Sequence, residues 1–228
     1  MSIPLLALAL LPTIVLLVHI YRKDSIEKEP PKLLVLLFLG GALTTIPAAL
    51  IETGAEPFLD HFLTEGSLLY ILIENFLTVA LVEEGVKYLV LKRGTWKSPH
   101  FNYLFDAIVY AVVVSLGFAT FENVLYVLDG SLTTAIMRAV LSVPGHAFDA
   151  VYMGYFYGLA KHADVRGDHA TRDFNLRMAI FAPVVIHGTY DFLIGSQMLV
   201  VFLVFEVIVT VLTIRHINQL SHTDEPLR

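Results

Sequence analysis

Acidic and basic side chains stand inside apolar stretches of this sequence. On a helix, Glu83 and Lys87 are four residues apart and Glu84 and Lys87 three apart, so one ammonium group can contact both carboxylates. An ionisable group in a bilayer costs roughly 2.5 kcal/mol or more, and where it occurs it usually has a function. Because two acids that share a site repel each other, one of them is a candidate general base. A charged helix end that reaches the membrane surface is the alternative, since Lys92 follows five residues later.

Two histidines lie in later apolar stretches, each with a carboxylate at helical spacing. His146 and Asp149 are three residues apart. His187 and Asp191 are four apart, so each pair shares one helix face. A carboxylate beside an imidazole orients the ring for metal binding or catalysis, whereas a histidine that bridges two helices is the alternative. Pro144-Gly145 should disturb the first histidine's helix locally.

Glu122 and Asn123 stand well inside another apolar stretch. A bare glutamate at such a place needs a cation, a proton or a metal ion nearby. Asn123 also suits a polar contact between two membrane helices, which is the alternative interpretation of this pair. We therefore count Asn123, with Asp149 and Asp191, as supporting residues of the candidate site.

Carboxylates outnumber bases in these stretches, which leaves the candidate site short of positive charge. Either a divalent cation binds there or some carboxylates carry protons. Imidazole and carboxylate ligands without sulfur suit Zn²⁺, and three protein ligands with one open position are typical of a catalytic zinc. The pattern favours Glu122, His146 and His187 as ligands, with Glu84 as the base on a bound water. The sequence has no cysteine, which excludes thiolate zinc sites and a cysteine nucleophile.

The composition is that of a membrane protein. With 56% hydrophobic and 16% charged residues and a mean hydropathy of +0.70, the chain is far more apolar than a soluble domain. Apolar runs long enough to cross about 30 Å of hydrocarbon predict an all-α transmembrane bundle of seven spans, forming one domain over residues 1–228. The spans lie near 3–21, 32–52, 67–91, 104–128, 132–160, 174–195 and 197–214.

Basic residues concentrate in alternate connections between these spans. The predicted first, third and fifth connections carry them, whereas the second, Glu52 to Gly66, has four acids and neither Lys nor Arg. Of the 15 basic residues, only Lys87 and Arg138 lie outside these connections and the C-terminal tail. The positive-inside rule therefore predicts an N-terminus outside and a cytoplasmic tail that contains Arg215 and Arg228.

The ordered motifs resemble one known family. Glu-Glu-x-x-Lys at 83–87, Phe-x-x-x-Glu at 118–122, Gly-His at 145–146 and His-x-x-x-Asp at 187–191 resemble the PrsW intramembrane proteases, distant relatives of CAAX prenyl endopeptidases and Abi proteins. The resemblance covers residues 22–195, including the acidic, proline-containing segment 24–31. It implies an endopeptidase that cuts membrane-anchored proteins, such as an anti-sigma factor, in the cell membrane of a bacterium or archaeon.

The resemblance also implies a set of catalytic residues. Carried over by position, Glu83 and Glu84 are the catalytic pair, and Lys87, Glu122, His146 and His187 complete the site. The prenyl endopeptidases have an Arg one position after Lys87 and a His in place of Glu122, and they are argued to work without a metal ion. The resemblance thus leaves the tentative Zn²⁺ open.

The candidate site residues are predicted to lie at different depths in the membrane. Counted from the predicted cytoplasmic helix ends at 1.5 Å per residue, Glu84 lies about 10 Å deep, His146 and His187 about 20 Å, and Glu122 about 28 Å. Straight, full-length helices would not bring these side chains together. Tilt or local helix breaks that line a wet cavity would reconcile the depths.

Other functions fit the composition less well. A proton- or cation-coupled transporter also places carboxylates and histidines in helices, but the sequence has no visible internal repeat. A retinal-binding receptor needs a lysine in the last span, and residues 197–214 contain none. The expected partners are the lipid bilayer and a membrane-anchored protein substrate, with no nucleic acid.

Overall fold

The computed structural model describes residues 3–24, 26–129 and 131–227. Within these ranges the chain is all-α, and the only β-type pairing is an isolated bridge between Tyr103 and Pro226. Arg228, which the sequence analysis counted with the tail, lies outside the described residues.

Most of the predicted spans correspond to one helix each. The helices are α1 (Ile3–Lys23), α2 (Pro31–Phe62), α3 (Leu68–Ile73), α4 (Leu81–Thr95), α5 (Leu104–Asp129), α6 (Leu132–Met137), α7 (Val143–Val165), α8 (His169–Gly195) and α9 (Leu199–His222). Two π-helical segments, Glu74–Ala80 and Arg138–Ser142, join α3 to α4 and α6 to α7. The continuous helical runs are therefore 68–95 and 132–165.

Five helices are long and apolar enough to cross a membrane: α1, α2, α5, α8 and α9. The chain is thus a multi-pass membrane protein. The count of seven spans and the orientation of the termini stay predictions. The runs 68–95 and 132–165, which would supply the other two spans, carry most of the ionisable residues singled out above.

The predicted end of the second span was wrong. Helix α2 continues to Phe62, ten residues past the predicted end at residue 52, so Glu52 lies on a helix and not in a connection. A row of acids indicated a loop, but the segment keeps apolar residues at helical spacing, and Leu59 within it is buried. Asp60 of this extension accepts a hydrogen bond from the Tyr70 hydroxyl of α3 at 3.0 Å.

Helix α5 is the centre of the bundle. It is apolar on all faces, and most of its length is buried between α1, α2 and α7. Gly154 of α7 allows a close crossing, because a Cβ atom at this position would lie 2.5 Å from the Ile108 Cα of α5. Side-chain oxygens of Ser67, Ser131 and Asp168 accept backbone N–H groups at the starts of α3, α6 and α8.

Candidate active site

The acid pair of α4 is neutralised by a lysine on the same helix. The Lys87 ammonium donates to Glu83 Oε2 at 3.0 Å and to Glu84 Oε1 at 2.7 Å. Lys87 and Glu84 are completely buried, and the ammonium lies 4.2 Å from the centre of the Phe118 ring. The spacing prediction for this triad is confirmed, and its burial excludes the alternative of a charged helix end at the membrane surface.

His146 connects the triad to α5. Its Nδ1 lies 3.1 Å from the Lys87 ammonium and its Nε2 lies 2.9 Å from Glu122 Oε2. An ammonium group only donates, so Nδ1 accepts and the proton of the neutral ring sits on Nε2. The ring therefore donates to Glu122, whose Oε2 also pairs with the Arg138 guanidinium at 2.9 Å.

His187 of α8 contacts carboxylates through both ring nitrogens. Nδ1 lies 3.0 Å from Glu84 Oε1 and Nε2 lies 3.1 Å from Asp191 Oδ2. The pairing predicted from the spacing of His187 and Asp191 is present. Asp149 differs from its prediction, because its Oδ2 lies 4.0 Å from His187 Nδ1, whereas Glu122 is the carboxylate beside His146.

The imidazole rings of His146 and His187 pack edge to face. Their centres are 5.3 Å apart and their planes meet at 89°. Glu83, Glu84, His146 and His187 each offer a ligand atom, and these four atoms lie within 4.8 Å of one another. This set differs from the predicted ligands by having the two α4 glutamates in place of Glu122. The Glu122 oxygen near the cluster is already paired with Arg138.

Asn123 holds Arg138 in place at the edge of the site. Its side-chain oxygen accepts from Arg138 Nε at 3.1 Å, and its amide donates to the Ala9 carbonyl of α1 at 3.0 Å. The Arg138 guanidinium also lies 4.0 Å from the centre of the Tyr126 ring. Asn123 is therefore a contact between helices, the alternative that the sequence analysis gave for it.

The helices run further than predicted, and this brings Glu122 to the same depth as the two histidines, whereas Glu84 still differs from them by about 10 Å. Helix α7 ends five residues later and α8 begins five residues earlier than the predicted spans. Counted from the observed ends at 1.5 Å per residue, Glu122, His146 and His187 all lie about 27 Å from the end predicted to be cytoplasmic, and Glu84 about 17 Å.

The π-helical segments precede site residues in both interrupted helices. Arg138–Ser142 ends just before Pro144, whose missing N–H frees one carbonyl of the preceding turn, so the predicted local disturbance is confirmed. Glu74–Ala80 precedes Glu83 without any proline, and the sequence carries no signal for it. Such wide turns are frequent at functional sites.

A cavity of about 660 Å³ opens beside the cluster. Glu83, His146 and His187 line it, whereas Glu84 lies behind them. Sequence reasoning missed two acidic lining residues, Glu52 of α2 and Glu206 of α9. Glu52 would have been recognised as an acid among apolar residues if the predicted second span had been longer. Glu206 could have been recognised as the lone acid in the last apolar run.

Comparisons with known proteins agree with the family resemblance. Residues 29–215 match the model of a family described as PrsW family intramembrane metalloprotease. Protease PrsW of Geobacillus kaustophilus is 37% identical over 85% of this chain and 80% of its own length. The Clostridioides difficile protein of that name is 35% identical over 85% and 80%. The Bacillus subtilis one is 32% identical over 81% and 80%. No solved structure matches the chain.

Proposed function

Since this chain belongs to the PrsW family of intramembrane metalloproteases, we propose that the cluster of Glu83, Glu84, Lys87, His146 and His187 is its catalytic centre. The protein is an intramembrane endopeptidase of the bacterial type. One observation supports this assignment above all: two glutamates and two histidines from three different helices bring ligand atoms to within 4.8 Å of one another beside a cavity.

Glu83 is the better placed of the two glutamates to act as general base. It faces the cavity in which a peptide bond and a water would lie, whereas Glu84 is fully buried behind it. From the sequence alone, Glu84 was the predicted base. Glu84 instead contacts Lys87 and His187, and the Lys87 ammonium holds the Glu83 carboxylate in place at 3.0 Å.

The residues present fit a zinc ion of the kind implied by the family name. Glu84 Oε2 is buried and has no hydrogen-bond partner among the described residues, so one carboxylate oxygen is free to coordinate. His146, His187 and Glu84 would then be the ligands, a two-histidine, one-carboxylate set with an open position. His146 would bind through Nδ1 and would give up its contact with the Lys87 ammonium. The ion would polarise the peptide carbonyl and favour ionisation of a bound water. Glu122 and Asp191 would orient the two imidazoles.

The proposed steps at the protein side chains follow from these positions. Glu83 takes a proton from a water molecule, and the hydroxide oxygen forms a bond to the peptide carbonyl carbon. Glu83 then returns the proton to the leaving amine as the C–N bond breaks, which restores the carboxylate.

The substrate is proposed to be a membrane-anchored protein, with an anti-sigma factor as the prediction drawn from the resemblance. The cavity is lined by Gln197 and Leu199, which lie at the helix ends predicted to face outside. His187 is only eight residues, about 12 Å, from the same end of α8. We therefore propose cleavage in the outer half of the bilayer.

A combined metal and activity analysis tests the proposal. Purified wild type should contain about one zinc per chain by mass spectrometry and should cleave a membrane-spanning peptide in proteoliposomes. Glu84→Gln and His187→Ala should lose both zinc and activity. Glu83→Gln should keep the zinc and lose activity by about 100-fold or more, because only the base is removed.

Glu122→Gln tests a residue that contacts a proposed zinc ligand but is not itself one. It should weaken zinc binding about 10- to 100-fold without abolishing it, since it orients a ligand. An active wild type that contains no metal would contradict the zinc assignment and point to a glutamate protease. An active Glu83→Gln enzyme would remove Glu83 as the base.

A further inference from the structure

Helix α2 forms one wall of the cavity. Its lining residues recur at positions i, i+3, i+4 and i+7, which places them on one helix face. They are Thr45, Ala48, Ala49 and Glu52. The first three side chains are small, so the wall leaves room for a peptide beside the catalytic residues. Glu52 is the only charged residue of this lining face.

Glu52 lacks a cation partner within the described part of the chain. The two cations of the site are committed elsewhere, because Lys87 pairs with Glu83 and Glu84, and Arg138 pairs with Glu122. One oxygen of the Glu52 carboxylate, Oε1, is buried and has no hydrogen-bond partner.

An unpaired carboxylate in apolar surroundings is costly unless a donor reaches it. Apart from Glu206, the other carboxylates that line the cavity have basic neighbours, and the longest of these contacts is the 4.0 Å between Asp149 and His187. Glu52 differs from them, and its free acceptor points to a group that arrives with the substrate. A cationic side chain satisfies a carboxylate best, since charge-assisted hydrogen bonds are about twice as strong as neutral ones.

The position of Glu52 along α2 indicates where that cation would lie. Glu52 is 21 residues after Pro31, or about 31 Å along the helix. It therefore stands near the far edge of a hydrocarbon core about 30 Å thick. Lys and Arg side chains occur naturally at this level of a membrane-spanning segment, where the charged end reaches toward water.

We propose that Glu52 is a specificity-determining residue that binds a Lys or Arg side chain of the substrate, at the outer end of its membrane-spanning segment. This inference rests on the proposed function, because the same cavity must hold the scissile bond. It assigns a substrate class: anchored proteins with a basic residue at the outer membrane border.

The test uses a series of synthetic membrane-spanning peptides in proteoliposomes with the full-length protein. The peptides carry a single Lys, Arg, Gln or Glu at successive positions across the outer border, and mass spectrometry gives the initial cleavage rates. For wild type we expect kcat/KM for the best Lys or Arg peptide to exceed that of the matching Gln peptide about tenfold or more. The Glu peptide should be the poorest.

Three variants decide which carboxylate is responsible. Glu52→Gln should reduce the Lys to Gln ratio to about one, mainly by slowing cleavage of the Lys peptide. Glu56→Gln is the matched control, since Glu56 is exposed one turn further along α2 and does not line the cavity. Glu206→Gln tests Glu206, the other acid that lines the cavity and forms no ion pair among the described residues. A preference that survives in Glu52→Gln, or that disappears only in Glu206→Gln, overturns the inference.

Binding measured without cleavage separates the two proposals. In a Glu83→Gln background, energy transfer between labelled protein and labelled peptide should show about tenfold tighter binding of the Lys peptide, which Glu52→Gln abolishes. If binding follows this pattern while wild type cleaves no peptide, the inference stands and the proposed catalytic function fails. If wild type cleaves all peptides equally and binds them equally, the inference fails and the catalytic proposal stands.

Discussion

The buried Lys87 is the residue on which the charge balance of the candidate site depends. Its ammonium contacts Glu83, Glu84 and His146 within 3.1 Å, and it is completely buried. A buried ion pair is weak evidence for net stability, but removing one partner is strongly unfavourable because the other charges stay buried.

We expect Lys87→Met to destabilise the protein by about 3–5 kcal/mol, the usual cost of leaving buried charges without their partner. Thermal unfolding in detergent, compared with Lys97→Met, measures this. Lys97 is exposed in the segment after α4, so the control variant should unfold like wild type. Equal unfolding temperatures for the two variants would mean that Lys87 does not balance the acids.

Sequence patterns predicted contacts within a helix better than contacts between helices. The spacing of Glu83, Glu84 and Lys87 fixes their mutual contacts wherever the helix lies. The choice of Glu122 and not Asp149 as the partner of His146 depends on how α5 and α7 cross, which no local spacing encodes.

At the scale of helices, the site depends on how closely α2 approaches α5. A Cβ atom added to Gly41 of α2 would lie 1.9 Å from the Val114 carbonyl oxygen of α5. Rotating a side chain cannot relieve this clash, because the neighbouring atom belongs to the backbone of α5. The two helices would therefore have to separate to accommodate a methyl group. α2 carries Glu52 and α5 carries Glu122, so their separation changes the cavity on two sides.

Gly41→Ala should therefore destabilise the protein by about 1–3 kcal/mol or more through overpacking, and it should lower cleavage of the peptide substrates. Gly54→Ala is the matched control on the same helix, because a Cβ at Gly54 meets nothing within 4 Å. Unfolding temperature and cleavage rate of both variants check the prediction. A Gly41→Ala protein as stable as Gly54→Ala would contradict the close crossing.

Helix existence could be predicted from the sequence, but helix irregularity could not. Apolar runs located each helical segment, and Pro144 indicated the wide turn before it. The turn at Glu74–Ala80 has no proline or glycine and depends on packing against α8, which periodicity does not report. The true end of α2 could not be predicted, because its acids are equally typical of a loop and of an exposed helix face.

At the scale of the whole molecule, the end predicted to be cytoplasmic is closed by a buried acidic cluster. Glu29 accepts a hydrogen bond from the Tyr110 hydroxyl of α5, and Asp224 accepts from the Phe105 N–H at 2.9 Å. Leu227 N–H donates to the Asn102 carbonyl at 2.8 Å. The segment between α1 and α2, the start of α5 and the C-terminal tail are thereby joined.

Protonation controls the stability of this cluster. Burial raises the pKa of Asp24 to about 6, which the nearby Lys28 partly opposes, and burial also raises the pKa of Glu29 and of Asp224. Asp24 is only 2% exposed, and its Oδ2 has no hydrogen-bond partner. A raised pKa in the folded protein means that the folded state binds more protons than the unfolded state between the two pKa values.

The contribution of Asp24 to stability is therefore complete below pH about 4 and is lost as the pH rises through about 6. Asp24→Asn should then stabilise the protein at pH 7.5, by up to about 3 kcal/mol for a shift of two pKa units, and by only about 1 kcal/mol at pH 4.5. Asn keeps an oxygen that can accept the Glu29 backbone N–H. Thermal unfolding in detergent at the two pH values measures the difference. Glu225→Gln, an exposed carboxyl in the same tail, should match wild type at both. A stabilisation of Asp24→Asn that is equal at both pH values would show that removing this carboxyl acts through packing, and not through its buried charge.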